Sequence, residues 1–438
     1  MSALALLGGP KIRERKFPAY RTIGAEEEAA AIRILRSGVL SRFIGAHHPD
    51  FEGGPEVQAL EREWCSHFGI RHAVSMNSAT SGLYAAVQAL GLEVGDEVVV
   101  SPYTMTASAV APLVCNAIPV FADVEPEHFC LDPASVESRI TSRTRAIIVV
   151  DILGQPHDAK AIRDIADRHG LMVIEDCAQA PDALHDGRKA GTLADIGVYS
   201  LNYHKHIHCG EGGLVVTNDD RLADRLRLVR NHAEAVIAGR GRTTDLAGML
   251  GFNYRMTEME AGIAREQLRK LPFLVARRQE NVARLERMMD GIPCLRMPKV
   301  RPTATHVYYQ HALRFDDQDE PLHRDVFAKA VQAELAPIEL RETEGVRVGC
   351  GYARPLYLQP IFQERTAYAK GAPWNLSDPM SSVSYREGIC PVAERLFFRE
   401  VITHDMVHPG MSEADLRDVA DAFAKVWEHR GDLGKARS

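Results

Sequence analysis

The stretch SLNYHKHIHCGEGG, residues 200–213, places Lys205 between two histidines, directly after an apolar run and before a glycine-rich turn that carries Glu211. A lysine there can attack a carbonyl if burial or a neighbouring cation disfavours its ammonium form. The plain alternative is an exposed lysine on a hairpin. His204, His206 and His208 recur at every second position of a non-helical stretch, with no carboxylate or cysteine support, so no metal site is expected. Two further stretches could act with this lysine. EDCAQA, 175–180, ends a buried apolar run with two carboxylates. Side chains alternate along a strand, so Glu175 and Asp176 point to opposite faces and at most one of them serves a given site. NSATSG, 77–82, joins an apolar run to a helix-like segment with small residues whose N–H groups suit either an anion or a simple cap.

The elements that must position these residues read as an alternation. HAVSMN, DEVVVSP, IPVFADV, RAIIVVDIL and LMVIEDCA are short apolar β-branched runs, with helix-like segments between them. DIGVYSLN and GGLVVTND add two more, for about seven strands. Continuous apolar strands separated by helices imply a mostly parallel sheet covered on both faces, and ligands of such sheets bind at the carboxyl ends of the strands. Asp132-Pro133 predicts a helix start, Gly170 a helix end, and Thr257 to Leu285 a long connecting helix. After about Pro298, VYYQHALRF reads as a strand and DVFAKAVQAEL as a helix, followed by a loop-rich stretch to about Asp378. SEADLRDVADAFAKVWEHR forms the last helix, capped by Ser412. The expected division is a large α/β domain with the N-terminal segment, 1–265, and a smaller α+β domain, 266–438.

The chain has 438 residues, 45% of them hydrophobic and 25% charged, with a net charge of −7. This is the balance of a globular protein, and the absence of any basic block argues against nucleic-acid binding. No stretch of about 18 apolar residues predicts a membrane span. The eight cysteines are scattered, without a C-x-x-C pair, which fits reduced thiols in a cytoplasmic protein rather than disulfides or a metal cluster.

In their joint order, GGPKIRERKFP, PYTMTASA, FADVEPEHFCLDP, VIEDCAQA, SLNYHKHIHCGEGG, NYRMTEMEAGIAREQL and CPVAERL resemble the DegT/DnrJ/StrS family of sugar aminotransferases. That resemblance implies the aspartate-aminotransferase fold (fold type I) and pyridoxal 5′-phosphate as cofactor. It further implies that Lys205 forms the Schiff base, that Asp176 faces the pyridine nitrogen, and that Gln179 bonds the phenolic oxygen. Tyr103 would stack on the ring, and Ser78, Ala79, Thr80 and Ser200 would form the phosphate cup. Asn253 would reach the phosphate from a second subunit, making a homodimer with shared active sites. The expected reaction is ping-pong: glutamate or glutamine loads the amine, and a keto sugar accepts it. A nucleotide-linked 3- or 4-keto-deoxyhexose is the first choice of acceptor and a cyclitol ketone of the inosose type the second. His47, His48, Arg255 and the tract around Tyr357 are the substrate-side candidates.

Departures from the family pattern accompany this likeness. LSRFIGAHHPDFEGGPE exceeds the family's usual link, which marks a loop special to the substrate. Asp151 stands where many relatives have histidine. Two other readings stay within the fold. Relatives that dehydrate sugars carry histidine in place of the lysine, and silent binding proteins tend to lose the lysine or its acidic partner. Both residues are present here.

Overall fold

The computed structural model describes residues 3–240, 249–316, 322–376 and 382–435. Asp378 lies outside them. Its centre is a seven-stranded sheet built from β1 (His72–Met76), β2 (Glu97–Val100), β3 (Ile118–Phe121), β4 (Thr144–Val150), β5 (Met172–Asp176), β6 (Ile196–Ser200) and β7 (Gly213–Thr217). The strand order is β1-β7-β6-β5-β4-β2-β3. β7 runs antiparallel to both neighbours, and the remaining pairs are parallel. β2 leads to β3 on one side and β4 leads to β5 on the other, so the order reverses between β2 and β4.

Helices α1 (Ala25–Ser37), α2 (Pro55–Phe68), α3 (Ala79–Leu90), α4 (Thr106–Val114), α5 (Ala159–His169) and α6 (Asp220–Arg230) connect or flank the strands. Their local causes are the expected ones. Ser78 caps α3, Asp158 caps α5, and Gly170 closes α5 in the left-handed conformation. Helix α7 (Glu258–Met288) starts at a capping box made by Thr257 and Glu260 and spans about 46 Å at 1.5 Å per residue. Residues 265 and 266, the expected domain border, lie inside this unbroken helix.

The smaller unit holds a four-stranded antiparallel sheet, β8 (Leu295–Arg296), β9 (His311–Phe315), β10 (Val348–Cys350) and β11 (Val401–His404), in the order β8-β9-β11-β10. Helices α8 (Arg324–Glu334) and α9 (Glu413–Glu428) pack against it. β10 and β11 lie in stretches where no strand was expected, because each is too short to show an alternation. The strand expected over 307–315 begins only at His311. Before it, Tyr308 has φ +51°, and Val307 N–H bonds the carbonyl of Gly154 instead of a strand neighbour. A Cβ on Gly154, which has φ +107°, would sit 2.7 Å from Tyr308 N, so the two loops close together only with glycine there.

Residues at both ends of the chain share one core. Leu4 and Phe17 are buried in the same cluster as Phe423 and Val426, and Arg13 pairs with Asp415 and Asp418 at 2.7 Å each. The N-terminal arm therefore packs with the smaller unit, whereas it was expected to go with the large domain. No helix among the described residues is long and apolar enough to cross a membrane.

Candidate active site

The carboxyl ends of β1, β5 and β6 open into a cavity of about 430 Å³. One wall is the start of α3. Ser78 caps this helix, accepting Ser81 N–H at 3.1 Å, and Ala79 and Thr80 form its first turn at the cavity edge. The N–H groups of a 12-residue helix point outward here and favour an anion. Gly213 of β7 lies under this turn. A Cβ on it would come within 2.6 Å of Ala79 N, so any side chain at 213 would displace the helix start.

Across the cavity stands Asp176, the last residue of β5 and 5% exposed. Its Oδ2 accepts from Ser108 Oγ at 2.6 Å and its Oδ1 from Ala178 N at 3.2 Å. Burial pushes its carboxyl up, opposed by these two bonds and by the positive charge of Lys205. Ser108 belongs to the first turn of α4, which follows β2 after a five-residue loop, 101–105.

Lys205 follows β6 in a turn where its N–H bonds the carbonyl of Asn202 at 2.9 Å. Its Nζ lies 4.3 Å from the ring centre of Tyr309. The same loop contributes Ser200, Asn202, His204 and Glu211 to the wall. Asn202 Nδ2 donates to Glu211 Oε1 at 2.8 Å, fastening the two ends of the glycine-rich turn. His206, fully buried, bonds the Val307 carbonyl at 2.8 Å, and burial holds its imidazole down at about 3, so it remains neutral. Gln179 has its Oε1 on Leu153 N at 2.7 Å and its Nε2 on Tyr352 Oη at 2.6 Å.

The structure thus brings Ser78, Ala79, Thr80, Asp176, Gln179, Ser200 and Lys205 to one cavity. Tyr103 is a correction. Its ring is fully buried in the main core, and its hydroxyl donates to the Gly351 carbonyl at 2.7 Å. Thr104 and Met105 line the cavity instead. Tyr357 is a second correction, because it packs on Phe121 inside the same core and its hydroxyl bonds Glu394. His47 and His48 are exposed, with His48 Nδ1 accepting Asp50 N–H at 3.0 Å, and neither lines a cavity described for this chain. Asn253 is exposed too, its Oδ1 taken by Arg255 Nε at 2.7 Å, and both stand outside the cavity of their own chain. The sequence reading missed Ser108, Tyr309 and Tyr352. Ser108 was detectable as a polar residue in the first turn of the helix after β2. The tyrosines, on irregular loops of the smaller unit, carried no such mark.

The donor set fits a phosphorylated pyridine aldehyde: an amine, a buried carboxylate and a hydroxyl-rich helix start, each on a different wall of a cavity of suitable size. Residues 46–424 match the model of the DegT/DnrJ/EryC1/StrS aminotransferase family. The L-glutamine:2-deoxy-scyllo-inosose aminotransferase of Streptoalloteichus tenebrarius is 33% identical over 98% of this chain and 99% of its own. The dTDP-3-amino-3,4,6-trideoxy-alpha-D-glucose transaminase of Streptomyces venezuelae is 32% identical, over 94% of this chain and 95% of its own. The crystal structure of S. venezuelae DesV in complex with ketimine intermediate superposes with a TM-score of 0.74 at 30% identity, covering 92% of this chain and 95% of that one.

Proposed function

This chain belongs to the DegT/DnrJ/EryC1/StrS aminotransferase family and is a pyridoxal-phosphate-dependent aminotransferase of keto sugars or cyclitols, and from that premise we propose that it moves an amino group from L-glutamine to the ring ketone of a free cyclitol. The observation that carries the site assignment is the meeting of Lys205, Asp176 and the start of α3 in one cavity. The acceptor rests on the full-length likeness to the inosose aminotransferase.

When bound, the cofactor supplies an electron sink for charge that develops on the amine-bearing carbon. Ser78, Ala79, Thr80 and Ser200 would hold its phosphate, with the N–H groups of α3 offsetting the charge. Asp176, whose carboxyl group accepts from Ser108 and Ala178, would hold a proton at the pyridine nitrogen. Lys205 Nζ would hold the aldehyde carbon and, once released by an incoming amine, move a proton at the substrate carbon. Gln179, oriented by Leu153 N–H, would offer its amide to the phenolic oxygen. Tyr309 beneath Nζ and Tyr352 beside Gln179 line the cavity on the smaller unit's side, where they would limit water at the proton path. Asn253 and Arg255, turned away from their own cavity, would serve the cavity of a second copy of this chain.

A nucleotide-linked 3- or 4-keto-deoxyhexose is the second reading, favoured by the dTDP-sugar transaminase likeness. One assay separates the two. Protein given α-¹⁵N-glutamine and either 2-deoxy-scyllo-inosose or a dTDP-keto-deoxyhexose is examined by mass spectrometry for labelled amine. Label in the cyclitol alone is expected. Label in the nucleotide sugar alone selects the second reading, and label in neither, with cofactor retained, rejects both.

A further inference from the structure

Glu175 precedes Asp176 on β5 and points to the opposite face of the sheet. There it meets Asp151, the residue after β4, and His157. All three are at most 1% exposed. Asp151 Oδ1 accepts from His157 Nδ1 at 2.7 Å and from His157 N at 2.9 Å. Glu175 Oε2 accepts from Leu193 N at 3.0 Å. Two acceptors are left over, Asp151 Oδ2 and Glu175 Oε1, and no donor reaches either one. An oxygen of each carboxyl group lies within 4.8 Å of the other's, and each group acts on the other as a hydrogen-bond partner. A pair of bare carboxylates in a dry interior is the worst case for both desolvation and like-charge repulsion. One proton between them removes both penalties and gives each orphaned oxygen a partner.

We propose that Asp151 and Glu175 hold a single proton, donated by Glu175 to Asp151, and that this sealed pair positions the cofactor-side residues Asp176 and Gln179. The positioning half rests on the reading of the cavity given above. The linkage is short. Asp151 N–H donates to the Asp176 carbonyl at 3.0 Å, and two residues later Leu153 N–H holds Gln179 Oε1 at 2.7 Å. The turn between them has Leu153 at φ +60°, and the Asp151 carboxylate fastens its far end through His157. The charge also matters. With the proton in place, one negative charge rather than two stands behind Asp176, which must itself remain anionic.

The surroundings agree. Burial pushes both carboxyls of the pair up and the His157 imidazole down. Arg301, paired with Glu125 and 3.8 Å from Asp158, is the cation that faces the cluster. The thiol of Cys177 faces it from the loop after β5, the Cys130 thiol from the loop after β3, Tyr199 from β6 and His185 from the hairpin between β5 and β6, while the charge of Asp176 acts on it from the other face of the sheet.

Two measurements on the holoenzyme test the proposal. The infrared difference between wild type and Glu175→Gln at pH 8 should show the carbonyl band of a buried protonated carboxyl group in the wild type. Glu175→Gln, whose amide can still donate to Asp151, should leave the absorbance-versus-pH curve of the bound cofactor in place. Glu175→Leu and Asp151→Leu should displace that curve by about half a pH unit or more. Absence of the band at pH 8 overturns the shared proton. A curve that moves in none of the variants, or that moves equally in Glu175→Gln and Glu175→Leu, overturns the positioning role. If the leucine variants do not fold, the band and the Glu175→Gln curve still decide. Failure of the cavity reading itself shows separately, as retention of the cofactor's covalent link in Lys205→Ala.

Discussion

Glu175 and Asp176 are consecutive residues of one strand, both buried, and they sit in opposite electrostatic settings on the two faces of the sheet. On the cavity face, Asp176 receives a hydroxyl, a backbone N–H and a nearby cation. On the sealed face, Glu175 receives one backbone N–H and a second carboxyl group. Burial raises both, so burial alone does not set the charge state. The donors do, and they come from different elements: Ser108 of α4 on one side, Leu193 of the loop before β6 on the other.

The comparison breaks most severely at the cavity. Lys205→Ala should lower the amine-transfer rate on the order of 10⁴-fold, the upper range for loss of a positioned proton-transfer group, while circular dichroism remains unchanged. Asp176→Asn should cost about 10²- to 10³-fold in the same assay, comparable to removing a major electrostatic group. Ser108→Ala removes a hydrogen bond to a charged acceptor, worth about 1.5–3 kcal/mol. Cofactor titration should therefore show affinity weakened by at least about tenfold.

On the sealed face, Glu175→Gln sharpens the contrast through stability instead of rate. A glutamate whose folded pKa is raised stabilises fully below its unfolded value of about 4.5, and that contribution is lost as pH rises toward the folded value. Urea unfolding of the wild type should thus lose up to about 1.4 kcal/mol per pH unit from this proton across that window, and Glu175→Gln should lack this component. Tyr103→Phe should have the smallest effect. It costs about 1 kcal/mol of stability from the bond to Gly351 and leaves the cofactor absorbance unchanged.

How much of this was legible depended on the range of the physical signal. The alternation of apolar runs and helix caps revealed the sheet, and strand periodicity alone separated Glu175 from Asp176. Periodicity stops where the strand stops. Tyr103, three residues past β2, could not be placed by parity, and the resemblance put its ring in a cavity that Met105 faces instead. Tyr357 belongs to an aromatic cluster with Phe121, Phe362 and Tyr385, contacts between residues more than 20 or 200 positions apart that no local pattern encodes. Asp151 stood out only as a departure from the family. Its partner His157, six residues on, became visible once the turn was folded.

The arm from Leu4 to Phe17 has a consequence for how the molecule is made. It is synthesised well before the residues that bury it, including Asp415, Phe423 and Val426. During translation it must wait, unshielded, through some four hundred residues of chain growth. The smaller unit can therefore close only once that later segment has emerged from the ribosome, and the residues of the large sheet emerge ahead of it.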